Sequence, residues 1–289
     1  MPITDRKARI SMTLEKRCEL ERNANRIRQG ILTSTYSAQS GHPGGSLSSA
    51  DLFACLYSGG LNVDPRNPQK ADRDRFVLSK GHVTPAYYSA LAMAGFFPEE
   101  ELKSFRACGS RLQGHPNMNM IPGVDMSTGS LGQGLSAAAG MALGAKRTGQ
   151  DFAVYALVGD GEMAEGQIWE ALLFSAHHEL DNLCVFADVN GLQIDGKTED
   201  VMNTKPLDAK FKSFGFRVMV IDGHDFDELE QAFSFFKENR GSGQPTAVLM
   251  NTVKGKGVSF MENDAGWHGK APNAQQYEQG MRELRGECA

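Results

Sequence analysis

A chain of 289 residues, 40% hydrophobic and 22% charged, is long enough to bury a full core and stands at the upper edge of one domain. Its net charge of −5, from 30 basic and 35 acidic residues, argues against a nucleic-acid surface, which carries a basic excess. No apolar run reaches the roughly 18–20 residues that span a bilayer, and the charged N-terminus lacks the apolar stretch of a secretory signal. Five scattered cysteines (Cys18, Cys55, Cys108, Cys184, Cys288) include no CxxC pair, so neither a disulfide framework nor a zinc site is expected. The expectation is a cytoplasmic protein whose partners include neither membrane nor nucleic acid.

Helical spacing of Leu14, Cys18, Ala24, Ile27, Ile31 and Leu32 predicts one long helix within the first forty residues. The glycine-rich stretch 40–46 interrupts it, and a short helix follows at 51–57. A Pro/Asp/Asn loop at 62–68 leads to a strand at 75–78. Helices are expected at 87–94 and 99–105 within loop-rich sequence that runs to Gly129. Beyond it the rhythm is regular: helix 131–147, strand 153–158, helix 167–178, strand 183–187, helix 207–214 and strand 216–221. Asp225, with Glu228 three residues later, is a capping-box signature for helix 226–238. Strand 247–250 and a polar helix at 275–287 close the chain. The strands are continuously apolar, as strands covered on both faces are, and their alternation with helices predicts an α/β fold, a doubly wound parallel sheet flanked by helices. No repeat or linker-like shift divides residues 1–289, so a single domain is expected.

In such a sheet ligands gather at the carboxyl ends of the strands, which makes the segments after residues 158 and 187 the candidate site. The first, Gly159-Asp160-Gly161-Glu162-Met163-Ala164, matches the G-x-G-x-x-A fingerprint of dinucleotide sites. Its two carboxylates would repel a pyrophosphate, so a phosphate there requires a cation between them. Asp160 and the side-chain carbonyl of Asn190, at the next strand end, offer hard oxygen ligands of the kind Mg²⁺ takes, with a backbone carbonyl and phosphate oxygens completing the set. The alternative for Gly159–Gly161 is a plain tight turn; the Asn190 partner weighs against it. A second G-x-G-x-x-A at Gly132–Ala137 follows polar loop rather than an apolar strand, so the dinucleotide context fails. Backbone approach by a ligand and tight helix packing both remain open there. Five of the seven histidines (His42, His82, His115, His224 and His268) adjoin a glycine, a setting in which an imidazole can approach a substrate closely and exchange protons near neutral pH. His177 and His178 sit on a predicted helix and read as structural, while His224 is ambiguous.

At this point the chain resembles a known family. Gly159-Asp160-Gly161 followed by Asn190 resembles the thiamine diphosphate signature. SGHPGG at 40–45, LSKGH at 78–82, GHP at 114–116, TGSLGQG at 128–134 and HG at 268–269 resemble transketolase motifs in that family's order. The resemblance covers about residues 15–275. It implies the diphosphate-binding domain of a transketolase, which moves a two-carbon ketol unit from a ketose phosphate to an aldose phosphate. It implies that Asp160, Asn190 and the Leu192 carbonyl hold Mg²⁺, with Ca²⁺ or Mn²⁺ as alternatives. His82, Gly129, Ser130, Leu131, Asp160, Gly161, Asn190, Ile194 and His268 would contact thiamine diphosphate, with Ile194 near the thiazolium. His42, His115 and His268 would bind sugar hydroxyls or shuttle protons, and Glu165 and Glu170 resemble acidic residues at the family's subunit contact. The chain departs from the family pattern at Ser130, where members usually carry Pro, and at Ala265, where many carry a second His. Full-length members continue into a pyrimidine-binding domain that supplies a glutamate to the cofactor's aminopyrimidine. The resemblance therefore implies a separate polypeptide carrying that half, an α₂β₂ assembly, and no activity for this chain alone. Other thiamine diphosphate enzymes (a 2-oxo acid decarboxylase or dehydrogenase component, or a deoxyxylulose phosphate synthase-like half) and a non-catalytic binding module are the alternatives. A NAD-dependent oxidoreductase ranks last because of Asp160 and Glu162.

Overall fold

The computed structural model describes residues 12–286. Residues 1–11 of the expected first helix, and the end of the tail helix with Cys288, lie outside the described residues. Helix α1 (Leu14–Ala38) starts at Thr13, whose side chain accepts from the Lys16 N–H, and stops at Gln39, which turns left-handed at φ 47°. The glycine-rich stretch then does something the sequence did not announce. Rather than breaking the chain, Pro43 opens a short helix, α2 (Pro43–Leu47), because its fixed φ and missing N–H cost nothing at the first helical position. Helix α3 (Ala50–Cys55) runs into a wide turn at Leu56–Gly60, and strand β1 (Arg75–Leu78) and helix α4 (Thr84–Ala94) follow. The predicted helix near residue 100 is a 3₁₀ segment, Glu99–Ser104.

Next come α5 (Gln133–Thr148), β2 (Val154–Gly159), α6 (Gly166–His177) and β3 (Leu183–Val189). A small hairpin of β4 (Leu192–Gln193) and β5 (Gly196–Lys197) leads into a single helical turn, α7 (Thr198–Val201). The chain closes with α8 (Leu207–Ser213), β6 (Arg217–Asp222), α9 (Phe226–Asn239), β7 (Thr246–Asn251) and α10 (Ala274–Arg285). Asp225 caps α9 by accepting from the Asp227 and Glu228 N–H groups, but Glu228 reaches back to the Asp222 N–H rather than to Asp225, so only half of the expected box forms. The complete box is on α10, between Asn273 and Gln276.

Five parallel strands form one sheet in the order β1-β2-β3-β7-β6. Alternate residues of β2 point to opposite layers: Val154, Ala156 and Val158 pack with α5, α6 and α8, whereas Tyr155 and Leu157 pack with α1, α3, α4 and α9. Covering both faces is why β2, β3 and β7 are apolar throughout. Strand β6 departs from that expectation. It is one of the two edges of the sheet, β1 being the other, and its Val220 is 52% exposed. Because all five strands run the same way, the loops after β1, β2, β3 and β7 emerge at one end of the sheet. Among the described residues no helix is long and apolar enough to cross a membrane, and Cys18, Cys55, Cys108 and Cys184 are free thiols.

Candidate active site

The strand ends surround a cavity of about 400 Å³. On one wall Asp160, at the end of β2, is 4% exposed and pinned from two sides. Its Oδ1 accepts from the Gly161 N–H (2.8 Å), and its Oδ2 accepts from the Gly191 N–H (2.6 Å) and the Thr198 hydroxyl (3.3 Å). Asn190 follows β3, and its amide donates to Asp188 Oδ2 (3.2 Å), which fixes which end of the amide is oxygen. That oxygen accepts from the Leu192 N–H (3.1 Å), and the Leu192 carbonyl in turn accepts from Lys254 Nζ (3.4 Å). A carboxylate, an amide oxygen and a peptide carbonyl thus line one cavity from two consecutive strand ends. Burial and the neighbouring Asp188 carboxylate push the Asp160 pKa up, so a cation beside it would relieve a real electrostatic cost.

Asp188 itself is fully buried. Its carboxylate is ion-paired with Lys80 and accepts from Ser48 Oγ (2.7 Å) and from Thr252. Burial alone would raise its pKa, but Lys80 and these hydroxyls hold it below the usual carboxylate range. Lys254, also buried, lies on the cavity wall and forms no ion pair with a carboxylate among the described residues. Burial, then the charge of Lys80, lowers its pKa to about 8. A buried ammonium without a counter-ion, beside three hard oxygen ligands, suits an anion that arrives with a divalent cation. Two further buried polar atoms on cavity residues, His42 Nδ1 and Gln193 Nε2, have no hydrogen-bond partner among the described residues. Orphaned groups of this kind are uncommon inside proteins unless a ligand completes them. The donor set therefore fits a metal-bound diphosphate.

Across the cavity the imidazoles of His42, His82 and His268 form a triangle with ring centroids 5.1–5.3 Å apart, and His115 lines the same space. Burial, and then nearby positive charge, keeps them neutral. His42 falls to about 4 through desolvation and Arg106, and His268 to about 3 through desolvation and Lys254. His82, buried next to Lys80, is well below its ordinary value, and His115 is lowered by burial and Arg106. A neutral imidazole offers one donor and one acceptor, which suits hydrogen bonding to sugar hydroxyls, whereas pKa values of about 4 for His42 and about 3 for His268 take them away from the proton exchange near neutral pH expected from the sequence.

Most of the residues singled out from the sequence meet here. His42, His82, His115, Gly129, Leu131, Asp160, Gly161, Asn190, Leu192, Ile194 and His268 all line the cavity, with Ile194 67% exposed at its rim. Ser130 does not; it is exposed in the turn before α5. Glu165 lines the cavity, whereas Glu170 borders a neighbouring apolar groove between α5 and α6. His177 and His178 end α6 at the surface, and His224 lies outside the cavity lining.

Glu162 lines the cavity too, and its carboxylate accepts from Ser79 Oγ (2.6 Å) and the Gly132 (2.9 Å) and Gly159 (3.0 Å) N–H groups, so it also braces the backbone at three places around the cavity. Gly132 and Gly134 serve packing rather than ligand approach: the Gly132 N–H is taken by Glu162, and a Cβ on Gly134 would lie 2.6 Å from Ser79 Cα. Lys80 and Lys254 were given no role from the sequence, although they lie two and three residues past the ends of β1 and β7, where the same carboxyl-end rule applies. No group of three or more His, Cys, Asp or Glu is placed to hold a metal among the described residues, in keeping with a mixed carboxylate, amide and carbonyl set. A larger hollow of about 630 Å³ lies at the opposite end of the sheet around Lys146, Asp151 and Arg240. It is open, and its charges pair with one another, so it offers a ligand little.

Residues 20–286 match the family model described as "Transketolase, thiamine diphosphate binding domain". The chain is 43% identical over 275 residues to the 6-deoxy-6-sulfo-D-fructose transketolase subunit SqwG of Clostridium sp. (strain MSTE9), covering 95% of this chain and 99% of that protein. It is 40% identical over 270 residues to an apulose-4-phosphate transketolase subunit from Actinobacillus succinogenes, covering 93% and 97%. Among solved structures, the transketolase from Leishmania mexicana superposes with a TM-score of 0.87 at 32% identity, over 92% of this chain and 41% of that one.

Proposed function

We propose that this chain, which belongs to the transketolase family through its thiamine diphosphate-binding domain, is the diphosphate-binding subunit of a two-subunit transketolase. The observation that carries the assignment is the meeting of the Asp160 carboxylate, the Asn190 amide oxygen and the Leu192 carbonyl on one cavity, with Lys254 beside them and neutral imidazoles opposite. Asp160, Asn190 and Leu192 would hold Mg²⁺, or Ca²⁺ or Mn²⁺ in its place. His82, Gly129, Leu131, Gly161, Ile194 and His268 would bound the cofactor, and Lys254 would face its diphosphate. Ser130, exposed and outside the cavity lining, has the least support of the residues named for the cofactor. When bound, thiamine diphosphate supplies a carbon centre that carries a two-carbon ketol fragment between sugars.

The chain's own residues provide the surroundings for that transfer. Burial and nearby positive charge lower the pKa of His42, His115 and His268, so each neutral ring can accept a hydrogen bond from one sugar hydroxyl and donate one to another without carrying a buried charge. The Lys254 ammonium contacts His268 Nδ1 at 3.2 Å. An ammonium can only donate, so it leaves the His268 proton on Nε2. Glu162 and Asp188 hold the surrounding loops and keep the ligand oxygens oriented. We read residues 1–289 as one domain, a reading supported by the single five-stranded sheet within residues 12–286.

Two relatives named as subunits are matched over 99% and 97% of their own length, whereas the complete transketolase structure is matched over 41%. This supports a separate partner polypeptide, which we propose carries the pyrimidine-binding half; an α₂β₂ assembly acting on ketose and aldose phosphates in the cytoplasm is part of the same proposal. Leu131 and Ile194, exposed apolar residues at the cavity rim, are the kind of surface such a partner covers. The test is a ketol-transfer assay on the chain by itself and on the chain co-purified with its pyrimidine-binding counterpart. Activity should require both, and turnover by the single chain would refute the two-subunit proposal.

A further inference from the structure

The ambiguous histidine, His224, belongs to a buried network outside the cavity. It follows β6 and lies against Asp51 of α3, with His224 Nδ1 and Asp51 Oδ2 2.7 Å apart. The same carboxylate oxygen accepts from Arg28 Nη2 of α1 at 2.6 Å. The other face of the imidazole meets the backbone: the Val253 N–H points at His224 Nε2 over 2.9 Å. A peptide N–H can only donate, so Nε2 must be bare and the ring proton must sit on Nδ1, facing Asp51. Arg28 has a second contact, from Nε to the Lys256 carbonyl (3.1 Å). The network thus grips the main chain at Val253 and at Lys256, on both sides of Lys254. Gly255 adds a third tie, its N–H donating to the Gly44 carbonyl (2.9 Å).

We infer that His224, locked as its Nδ1–H tautomer by Asp51 and Arg28, is a positioning residue that aims Lys254 at the anionic ligand of the cavity. Three elements distant in sequence contribute one polar side chain each, Arg28 and Asp51 buried and His224 largely so, and two of the three bond the backbone that flanks a single cavity lysine. Burying an ionised carboxylate between a guanidinium and an imidazole is favourable only if every partner is satisfied, and here the partners' remaining hydrogen bonds go to that segment. Lys254 has an unbranched side chain with three or more free torsions, so fixing its main chain restricts where the ammonium can reach. The proposal rests on the role given above to Lys254 at the diphosphate.

The test is calorimetric binding of thiamine diphosphate with Mg²⁺ to the full chain in a double-mutant cycle. His224→Ala should weaken binding about tenfold, as loss of an outer positioning contact does, and Lys254→Ala by more. In the Lys254→Ala background, His224→Ala should add less than about twofold, because a residue acting through Lys254 has nothing left to aim. His224→Gln, which can still accept from Val253 and donate to Asp51, should restore binding to within about threefold. An equal loss from His224→Ala in both backgrounds would overturn the proposal. If Lys254→Ala binds normally while His224→Ala does not, it is the diphosphate role of Lys254 that fails instead, and the inference fails with it. Nitrogen NMR of the unmutated chain gives an answer independent of how the variants fold: a proton on Nδ1 with bare Nε2 supports the network, and a protonated Nε2 overturns it.

Discussion

Replacing Glu162 with Gln tests whether one buried carboxylate ties the loops around the cavity together. Glu162 is 3% exposed and receives three donors, one each from the loops carrying Ser79, Gly132 and Gly159. An amide of the same shape keeps one acceptor oxygen and replaces the other with an NH₂ donor. The least disruptive orientation leaves oxygen toward Ser79 and Gly132 and sets NH₂ against the Gly159 N–H. Losing one hydrogen bond to a charged group costs about 1.5–3 kcal/mol. Part of that is returned, because burial raises the Glu162 pKa despite Ser79, the two N–H groups and Lys80, so removing the charge relieves desolvation. A net loss of about 1–2 kcal/mol is expected, equivalent to roughly 2–3 °C in Tm for a chain of this size. Glu162→Ala orphans all three donors and should cost about 3 kcal/mol or more. Urea unfolding followed by tryptophan fluorescence reads this directly, since Trp169 donates to the Met163 carbonyl next door. A Glu162→Gln chain as stable as the parent, or an Ala variant no worse than Gln, would refute the bracing role.

Gly134→Ala should destabilise by about 1–3 kcal/mol, because the new methyl would lie 2.6 Å from Ser79 Cα, a backbone atom that cannot rotate away. A neutral result in the same urea assay would mean that α5 can retreat from the loop after β1. Inorganic pyrophosphate affinity should weaken as pH rises through about 8, where Lys254 loses its proton, and Lys254→Met should abolish that dependence; an unchanged slope would assign it to another group. Stability should fall as pH drops from about 6.5 toward 4. In that window the unfolded histidines take up protons near 6.5, whereas folded His42 resists until about 4 and His268 until about 3. The unfolded state therefore binds more protons there, and acid favours it. Calorimetric melting across that window, compared with a His42→Gln/His268→Gln variant of flatter slope, checks the sign.

The layers of the fold could be read from the sequence because β2, β3 and β7 are apolar on both faces, a direct consequence of helices covering both sides of the sheet. Strand β6 misled for the opposite reason: its apolar residues Val218 and Val220 resemble those of a central strand, and only the order of strands shows that it forms an edge. Pro43 reads equally as a breaker and as an opener of a helix; what decides is whether residues 44–47 have a buried face, which the sequence around them does not display. The hairpin of β4 and β5 carries its signal in Asp195-Gly196, a turn-forming pair, but two-residue strands leave no periodicity to detect. The metal-ligand candidates and histidines were legible because glycine-flanked polar residues after strand ends are chemically conspicuous. Glu162 was legible as a carboxylate but not in its direction, since whether it faces ligand or loop depends on backbone N–H groups thirty residues away at Gly132. The role of His224 was invisible for the same reason, its partners lying at Asp51 and Val253.

Titration of the chain with thiamine diphosphate, once with Mg²⁺ and once with the metal chelated, followed by calorimetry and repeated on Asp160→Ala and Asn190→Ala, is the decisive measurement. Heat of binding should appear only when metal is present and should be lost in either variant. Equal affinity with the metal chelated, or full binding after Asp160 and Asn190 are removed, would contradict the idea that an oxygen-bound ion ties the cofactor's diphosphate to the ends of β2 and β3.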